Sequence, residues 1–308
     1  ADRSMMFMPT GIQGAPAVFM VMDKITSENK YMDKNIKQTQ LNSEQINLNN
    51  SNIKVSEKQV NYSTCEESLN SYCKLNNINL TEDIKQKLRV YYELLVDWNE
   101  KINLTAITDL ELVYEKHFAD SISSVKYLKT NTTLCDIGTG AGFPGLVIAI
   151  FRPDIKVVLV DALQKRVNFL NEVINQLNLN NVEVLHHRAE DEIFKTKYLN
   201  SFDYVVSRAV ARLNTLIEYC LPFVKTGGEF IAYKSEKSEE EIKECNNSLK
   251  LLGGASIKIE EYKLSEFFRC LLFIKKCDDI PEEKTGISSH LFYYLVFSFI
   301  KIFILTIY

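Results

Sequence analysis

At 308 residues, 46% of them hydrophobic and 25% charged, the chain is long enough to bury the core of one large domain or of two unequal ones. A formal net charge of -4 excludes nucleic-acid attraction through overall charge, so any such contact needs a local basic surface. Seven cysteines, irregularly spaced and without a CxxC pair, fit neither a secreted disulfide framework nor a zinc site; they read as thiols in a reducing, cytoplasmic compartment. The four histidines have no HExxH spacing, so no metal site is expected.

Residues 1–64 read as an extension: an apolar start, "MMFMPTGIQGAPAVFMVM", followed by the polar run "DKNIKQTQLNSEQINLNNSNIKVSEK", whose composition predicts disorder. Pro9, Gly11, Gly14 and Pro16 break the helix that a signal peptide's apolar region needs. Residues 65–130 are expected to form a helical cap. In it, Ile84, Leu88, Tyr91, Leu95 and Trp98 recur at helical spacing between Leu80 and Lys101, with Thr81 as N-cap, and a second helix is expected over 110–128.

From residue 131 to 277 the pattern becomes that of an α/β domain. The runs "TLCDIG", "KVVLVD", "VEVLHH", "FDYVVS" and "GEFIAYK" predict a parallel sheet, with helices near 144–152, 163–177, 211–224 and 237–252. "SIKIEEYKL" and "FFRCLLFIKK" add a last antiparallel pair, giving a doubly wound, Rossmann-like sheet with an N-terminal helical cap. Residues 278–308 form an atypical tail. Its apolar run Leu291–Tyr308 is near the lower length for a membrane span but carries Lys301 mid-span, so weak membrane association stands beside a packed or idle tail.

The stretch "LCDIGTGAGFPG" satisfies a GxGxxG pattern at Gly140, Gly142 and Gly145, which by itself is weak support for a dinucleotide. It also places Asp136 ahead of Gly138, Gly140 and Gly142 at alternate positions. An acid there would repel a pyrophosphate but suits a cation such as the amino group of a methionine moiety. Asp161, 19 residues after Gly142 at the end of the next strand, suits ribose hydroxyls. Arg188, Ala189, Glu190 and Asp191 follow the third strand on the same edge and suit an adenine, although acids also favour a helix start. His186 and His187 read as loop histidines.

These segments, with "VVLVDALQKRVNFLNEV", "RAED", "FDYVVSRAVARL", "YYELLVDWNEKINLTAI" and "HFADSI", resemble the RsmG family, also called glucose-inhibited division protein B, from about Leu80 to Lys276. The resemblance implies a class I S-adenosylmethionine-dependent methyltransferase acting on N7 of a guanine in the 530 loop of 16S rRNA in the small ribosomal subunit. A monomer is expected. By position the resemblance assigns Asp136, Gly138, Gly140 and Gly142 to the methionine end of the cofactor, Asp161 to the ribose, and Ala189 with Glu190 to the adenine, with Phe143 also among the cofactor-binding residues. It assigns Arg208 to the catalytic centre, facing cofactor and RNA, with an ion-pair arginine as the competing reading. Lys234 is a second RNA candidate, and Asn103, Thr105, His117 and Asp120 in the cap either close over the cofactor, contact RNA, or simply cap and pack. Two departures stand out: the acidic "CDDIPEEKTGISSH" replaces the family's basic end, and Ser235 follows Lys234 where glycine is usual. Readings of other classes are a nicotinamide-dependent reductase and a non-catalytic nucleotide- or RNA-binding module; a methyltransferase acting on another RNA or a small molecule is the closer alternative.

Overall fold

The computed structural model describes residues 60–208, 211–235 and 239–277. The chain divides into two units at Val60/Asn61, and the helices and strands of the described residues all belong to the second. The expectations for residues 1–59 and 278–308 lie outside the described residues, whereas at 63–64 the expected extension is already helix. Among the described residues no helix is long and apolar enough to cross a membrane.

The cap opens with α1 (Ser63–Leu75), a helix not anticipated because its buried apolar stripe is narrow, Cys65, Leu69 and Cys73 at four-residue steps, and lies beside buried Glu66. Helix α2 (Glu82–Ile102) matches the expected span. Thr81 accepts the Ile84 amide at 3.2 Å, Ile84, Leu88, Tyr91 and Leu95 are buried, and left-handed Asn103 ends the helix. The single helix expected over 110–128 is instead broken into pieces. Asp109 caps α3 (Leu110–Val113), a π-helical segment spans Tyr114–Ala119, α4 covers Asp120–Ile122, and a 3₁₀ turn follows at Val125–Tyr127. Serine hydroxyls supply a physical reason: Ser121 and Ser123 bond back to the carbonyls of His117 and Ala119, competing with regular helical pairing.

The sheet strands are β1 (Thr133–Ile137), β2 (Lys156–Asp161), β3 (Val182–His186), β4 (Phe202–Arg208), β5 (Val224–Ser235), β6 (Gly254–Leu264) and β7 (Phe267–Lys276). Their order is β3-β2-β1-β4-β5-β7-β6. β1 to β5 pair in parallel, and β7 runs antiparallel between β5 and β6. The expected antiparallel pair is therefore present, but its second strand inserts next to β5. Helices α5 (Gly145–Phe151), α6 (Gln164–Gln176), α7 (Glu192–Tyr198), α8 (Leu213–Cys220), α9 (Glu239–Glu244) and α10 (Asn246–Leu251) connect the strands. Among them α7 follows Asp191, one of the acids also read as a helix start, and the helix expected over 237–252 is two short ones.

Alternation along the strands sorts the core into two layers. Leu134, Leu159, Val206 and Ile231 join the cap residues Leu88, Tyr91 and Phe118 on one face. Cys135, Val160, Val205 and Phe230 join Leu216 and Ile217 of α8 on the other. The same period puts Asp136 and Arg208 on the cap side, two residues beyond Leu134 and Val206. The carboxyl ends of β1, β2, β4 and β5 lie along one edge, and the β6–β7 turn lies there too.

Candidate active site at the carboxyl edge of the sheet

The loop after β1 turns through three left-handed glycines, Gly138, Gly140 and Gly142. Their roles differ. A Cβ on Gly140 would meet nothing within 4 Å, whereas one on Gly142 would collide with the Tyr91 hydroxyl and with Leu146. Gly140 therefore presents bare backbone to open space, and Gly142 makes room for a side chain of the cap. Tyr91, fully buried on α2, donates its hydroxyl to the Ala141 carbonyl and stacks on Phe143 at 5.5 Å. By spacing alone Tyr91 is only one member of a core stripe.

Both acids are buried beneath this loop. Asp136 has no exposed surface; its Oδ2 accepts from the Thr139 hydroxyl at 2.7 Å and the Gly145 amide at 2.8 Å, while Oδ1 has no partner. Burial pushes its pKa up to about 6 against those hydrogen bonds, which favour the carboxylate. Asp161, 3% exposed, accepts from the Gly140 amide at 2.9 Å through Oδ2 and from the Leu163 amide at 2.9 Å through Oδ1. The second acid thus fixes the glycine loop from the neighbouring strand. Beyond β3, Ala189 is buried and Glu190 exposed, with Arg188 3.9 Å from Glu190. His186 and His187 bond locally, to the Ala162 carbonyl and to Asp191.

Arg208 ends β4 facing the cap. Its Nη1 donates to the Asp120 carboxylate at 2.7 Å and to the Lys116 carbonyl at 3.0 Å, and its Nη2 lies 3.3 Å from His117 Nδ1. The guanidinium also lies 5.2 Å from the centre of the Phe143 ring. Asp120 in turn accepts the Tyr262 hydroxyl at 2.7 Å through its other oxygen. His117 Nδ1 also lies 3.1 Å from the Lys116 carbonyl, and its Nε2 lies 3.1 Å from Thr105 Oγ1. Burial first, then Arg208, pushes the His117 pKa down to about 4, which keeps the ring neutral.

The structure thus brings together Arg208, His117, Asp120 and Thr105, read separately in the sequence, and adds Tyr262, which carried no sequence signal. It sets Phe143 in the aromatic stack between Tyr91 and His117 rather than on the open side of the glycine loop. Lys234 is not a free cation: it donates to Glu241 at 2.6 Å and to the Ala211 carbonyl at 3.0 Å. Asn103 serves as the C-cap of α2.

Two features test whether this cradle suits S-adenosylmethionine. The buried acceptor Oδ1 of Asp136 lacks a donor, and the backbone at Gly140 is open where a ligand would lie. A buried carboxylate beneath the loop opposes a pyrophosphate and complements a ligand bearing an ammonium and a sulfonium. With the strand order above, this makes the chain a class I S-adenosylmethionine-dependent methyltransferase.

Within that class, residues 84–267 match the GidB family, described as rRNA small subunit methyltransferase G, and the chain belongs to that family. The enzyme of that name from Lachnoclostridium phytofermentans is 50% identical over 204 residues, 64% of this chain and 83% of the relative. The one from Desulforamulus reducens is 45% identical over 229 residues, 72% of this chain and 95% of the relative. The Staphylococcus aureus enzyme is 48% identical over 195 residues, 63% of this chain and 81% of the relative.

Proposed function

We propose that this chain transfers a methyl group from S-adenosylmethionine to N7 of a guanine in the 530 loop of 16S rRNA, within the small ribosomal subunit. Family membership supports the substrate class, and the single observation that carries the site is Arg208 held between the cap and the glycine loop. When bound, the cofactor supplies an electrophilic methyl group on its sulfonium. Asp136, Gly138 and Gly140 would hold its methionine end, Asp161 its ribose, and Ala189 with Glu190 its adenine.

Guanine N7 offers an in-plane lone pair and has no proton to lose, so the protein needs no general base. That agrees with His117 being neutral and engaged on both nitrogens. The protein's task is alignment of an unstacked base against the cofactor. Arg208 is suited to it because the bonds to Asp120 and Lys116 and the contact with His117 leave its Nε–H and one Nη2–H to donate to guanine O6 or to a phosphate. A donor aimed at N7 itself would block the attacking lone pair. This reading carries with it a cytoplasmic location and requires a single copy of the chain.

The test is transfer of labelled methyl from S-adenosylmethionine to small subunits lacking the mark, with the product located by cleavage at 7-methylguanine. A single mark in the 530 loop is the expected outcome. Transfer elsewhere, or cofactor binding without transfer to any rRNA, sinks the assignment.

A further inference from the structure

The chain carries a net charge of -4, and the cations nearest the carboxyl edge are mostly neutralised: Arg208 by Asp120, Lys234 by Glu241, Arg212 by Glu244. The tip of the β6–β7 hairpin differs. Phe267 and Phe268 begin β7 there with 41% and 55% of their surfaces exposed, although two adjacent large aromatics gain most from burial. Successive strand residues face opposite sides, and each ring has its own lysine: Lys116 Nζ lies 4.1 Å from the centre of Phe267, and Lys263 Nζ lies 5.6 Å from that of Phe268. Lys263 and Phe268 are cross-strand partners, whereas Lys116 comes from the π-helical segment of the cap. Neither lysine has a carboxylate within 4.0 Å among the described residues. One acid, Glu266, sits in the turn itself.

We propose that this aromatic tip, Phe267 and Phe268 flanked by Lys116 and Lys263, is the surface on which unpaired bases of the RNA substrate stack as the target guanine enters the site. The inference rests on the proposed rRNA function and adds the place where single-stranded RNA docks. Stacking on exposed aromatics beside unpaired cations is how single strands are held, with rings taking the bases and ammonium groups the phosphates. Position supports it: the residue whose ammonium covers Phe267 also accepts the Arg208 guanidinium through its carbonyl. The tip therefore lies one lysine side chain from the group assigned to the guanine. The tip also supplies local cations in a chain of net negative charge.

The experiment uses the full chain and a fluorescein-labelled RNA hairpin of 530-loop sequence. RNA affinity is measured by anisotropy as a function of salt, S-adenosylmethionine affinity by calorimetry, and methyl transfer to small subunits in parallel. Phe267→Ala with Phe268→Ala is expected to weaken RNA binding by about tenfold or more, while cofactor affinity stays within about twofold. The pair Phe267→Tyr and Phe268→Tyr, which keeps the ring faces, is expected to restore RNA binding. Lys263→Gln should lower the slope of log affinity against log salt by about 0.7. Unchanged RNA affinity in the alanine variant, or no RNA binding by the parent chain, overturns the proposal. Loss of RNA binding in the alanine variant of a parent that binds RNA but methylates no rRNA upholds the surface and sinks the function. Methylation with RNA affinity untouched by the substitutions does the reverse.

Discussion

Removing the Arg208 guanidinium leaves the Asp120 carboxylate, 3% exposed, with the Tyr262 hydroxyl as its side-chain donor among the described residues. A buried charge that loses its ionic partner typically costs about 3 kcal/mol or more. Arg208→Ala is therefore expected to lower unfolding free energy by about that amount in urea titrations, besides abolishing methyl transfer. The double variant Arg208→Ala/Asp120→Ala should cost clearly less than the sum of the two singles. An additive result would mean the pair does not interact energetically. If cofactor affinity survives in the folded Arg208→Ala protein, the group acts on the RNA side; equal loss of binding and transfer would make it a residue of the cofactor site. The "SRA" segment made Arg208 legible as a candidate. Its partners were not legible, because a carboxylate 88 residues away and a tyrosine 142 residues from that carboxylate leave no local pattern.

At the scale of elements, the cap meets the glycine loop through α2 and through the π-helical segment, whose His117 stacks on Phe143. α2 delivers the Tyr91 hydroxyl to the Ala141 carbonyl, and Gly142 has no side chain because that hydroxyl fills the space. Tyr91→Phe keeps the ring stack but leaves a buried carbonyl unpaired, at a cost of about 1–3 kcal/mol. The same change should weaken S-adenosylmethionine binding in calorimetry, since the loop loses its hydrogen bond to the cap. Gly140→Ala and Gly142→Ala separate the glycine roles. Both add a Cβ at positive φ, but at Gly142 it also meets Tyr91 and Leu146. Gly142→Ala should therefore lower the thermal midpoint much more, while Gly140→Ala should chiefly reduce cofactor affinity; equal thermal losses would refute the division. The helical stripe of α2 was readable from spacing. The break over 110–128 was not, because serine back-bonding and the docking of Arg208 onto the Lys116 carbonyl override a helix-like pattern.

For the molecule as a whole, two buried groups push stability in opposite directions over one pH window. His117, held down to about 4 by burial and then by Arg208, refuses a proton that the unfolded chain accepts near 6.5. Its contribution is complete above the unfolded value and is lost as pH falls toward 4. Asp136, pushed up to about 6 by burial, keeps a proton that the unfolded chain releases near 3.8, so its contribution is lost as pH rises through 6. Each is worth on the order of 3 kcal/mol, and between about pH 4 and 6 they largely offset. The urea midpoint should show little slope from this pair in the parent chain. In Asp136→Asn it should climb with pH across that window as the His117 contribution stands alone. A slope identical to the parent's would show that Asp136 is not held protonated in the fold.

What the sequence determined by itself is local: the alternating apolar runs that become β1 to β7, the stripe of α2, and the glycines that only a left-handed loop requires. Those features depend on period and on backbone freedom, which neighbouring residues set. Only the tertiary structure decided which acid meets which donor. Asp136 and Asp161 became supports of the glycine loop, Lys234 was taken by Glu241, Phe143 turned into the aromatic stack, and Arg208 was aimed by Asp120 and Lys116. Such pairings come from strand order and from the docking of the cap on one face of the sheet, so they join residues far apart in the chain.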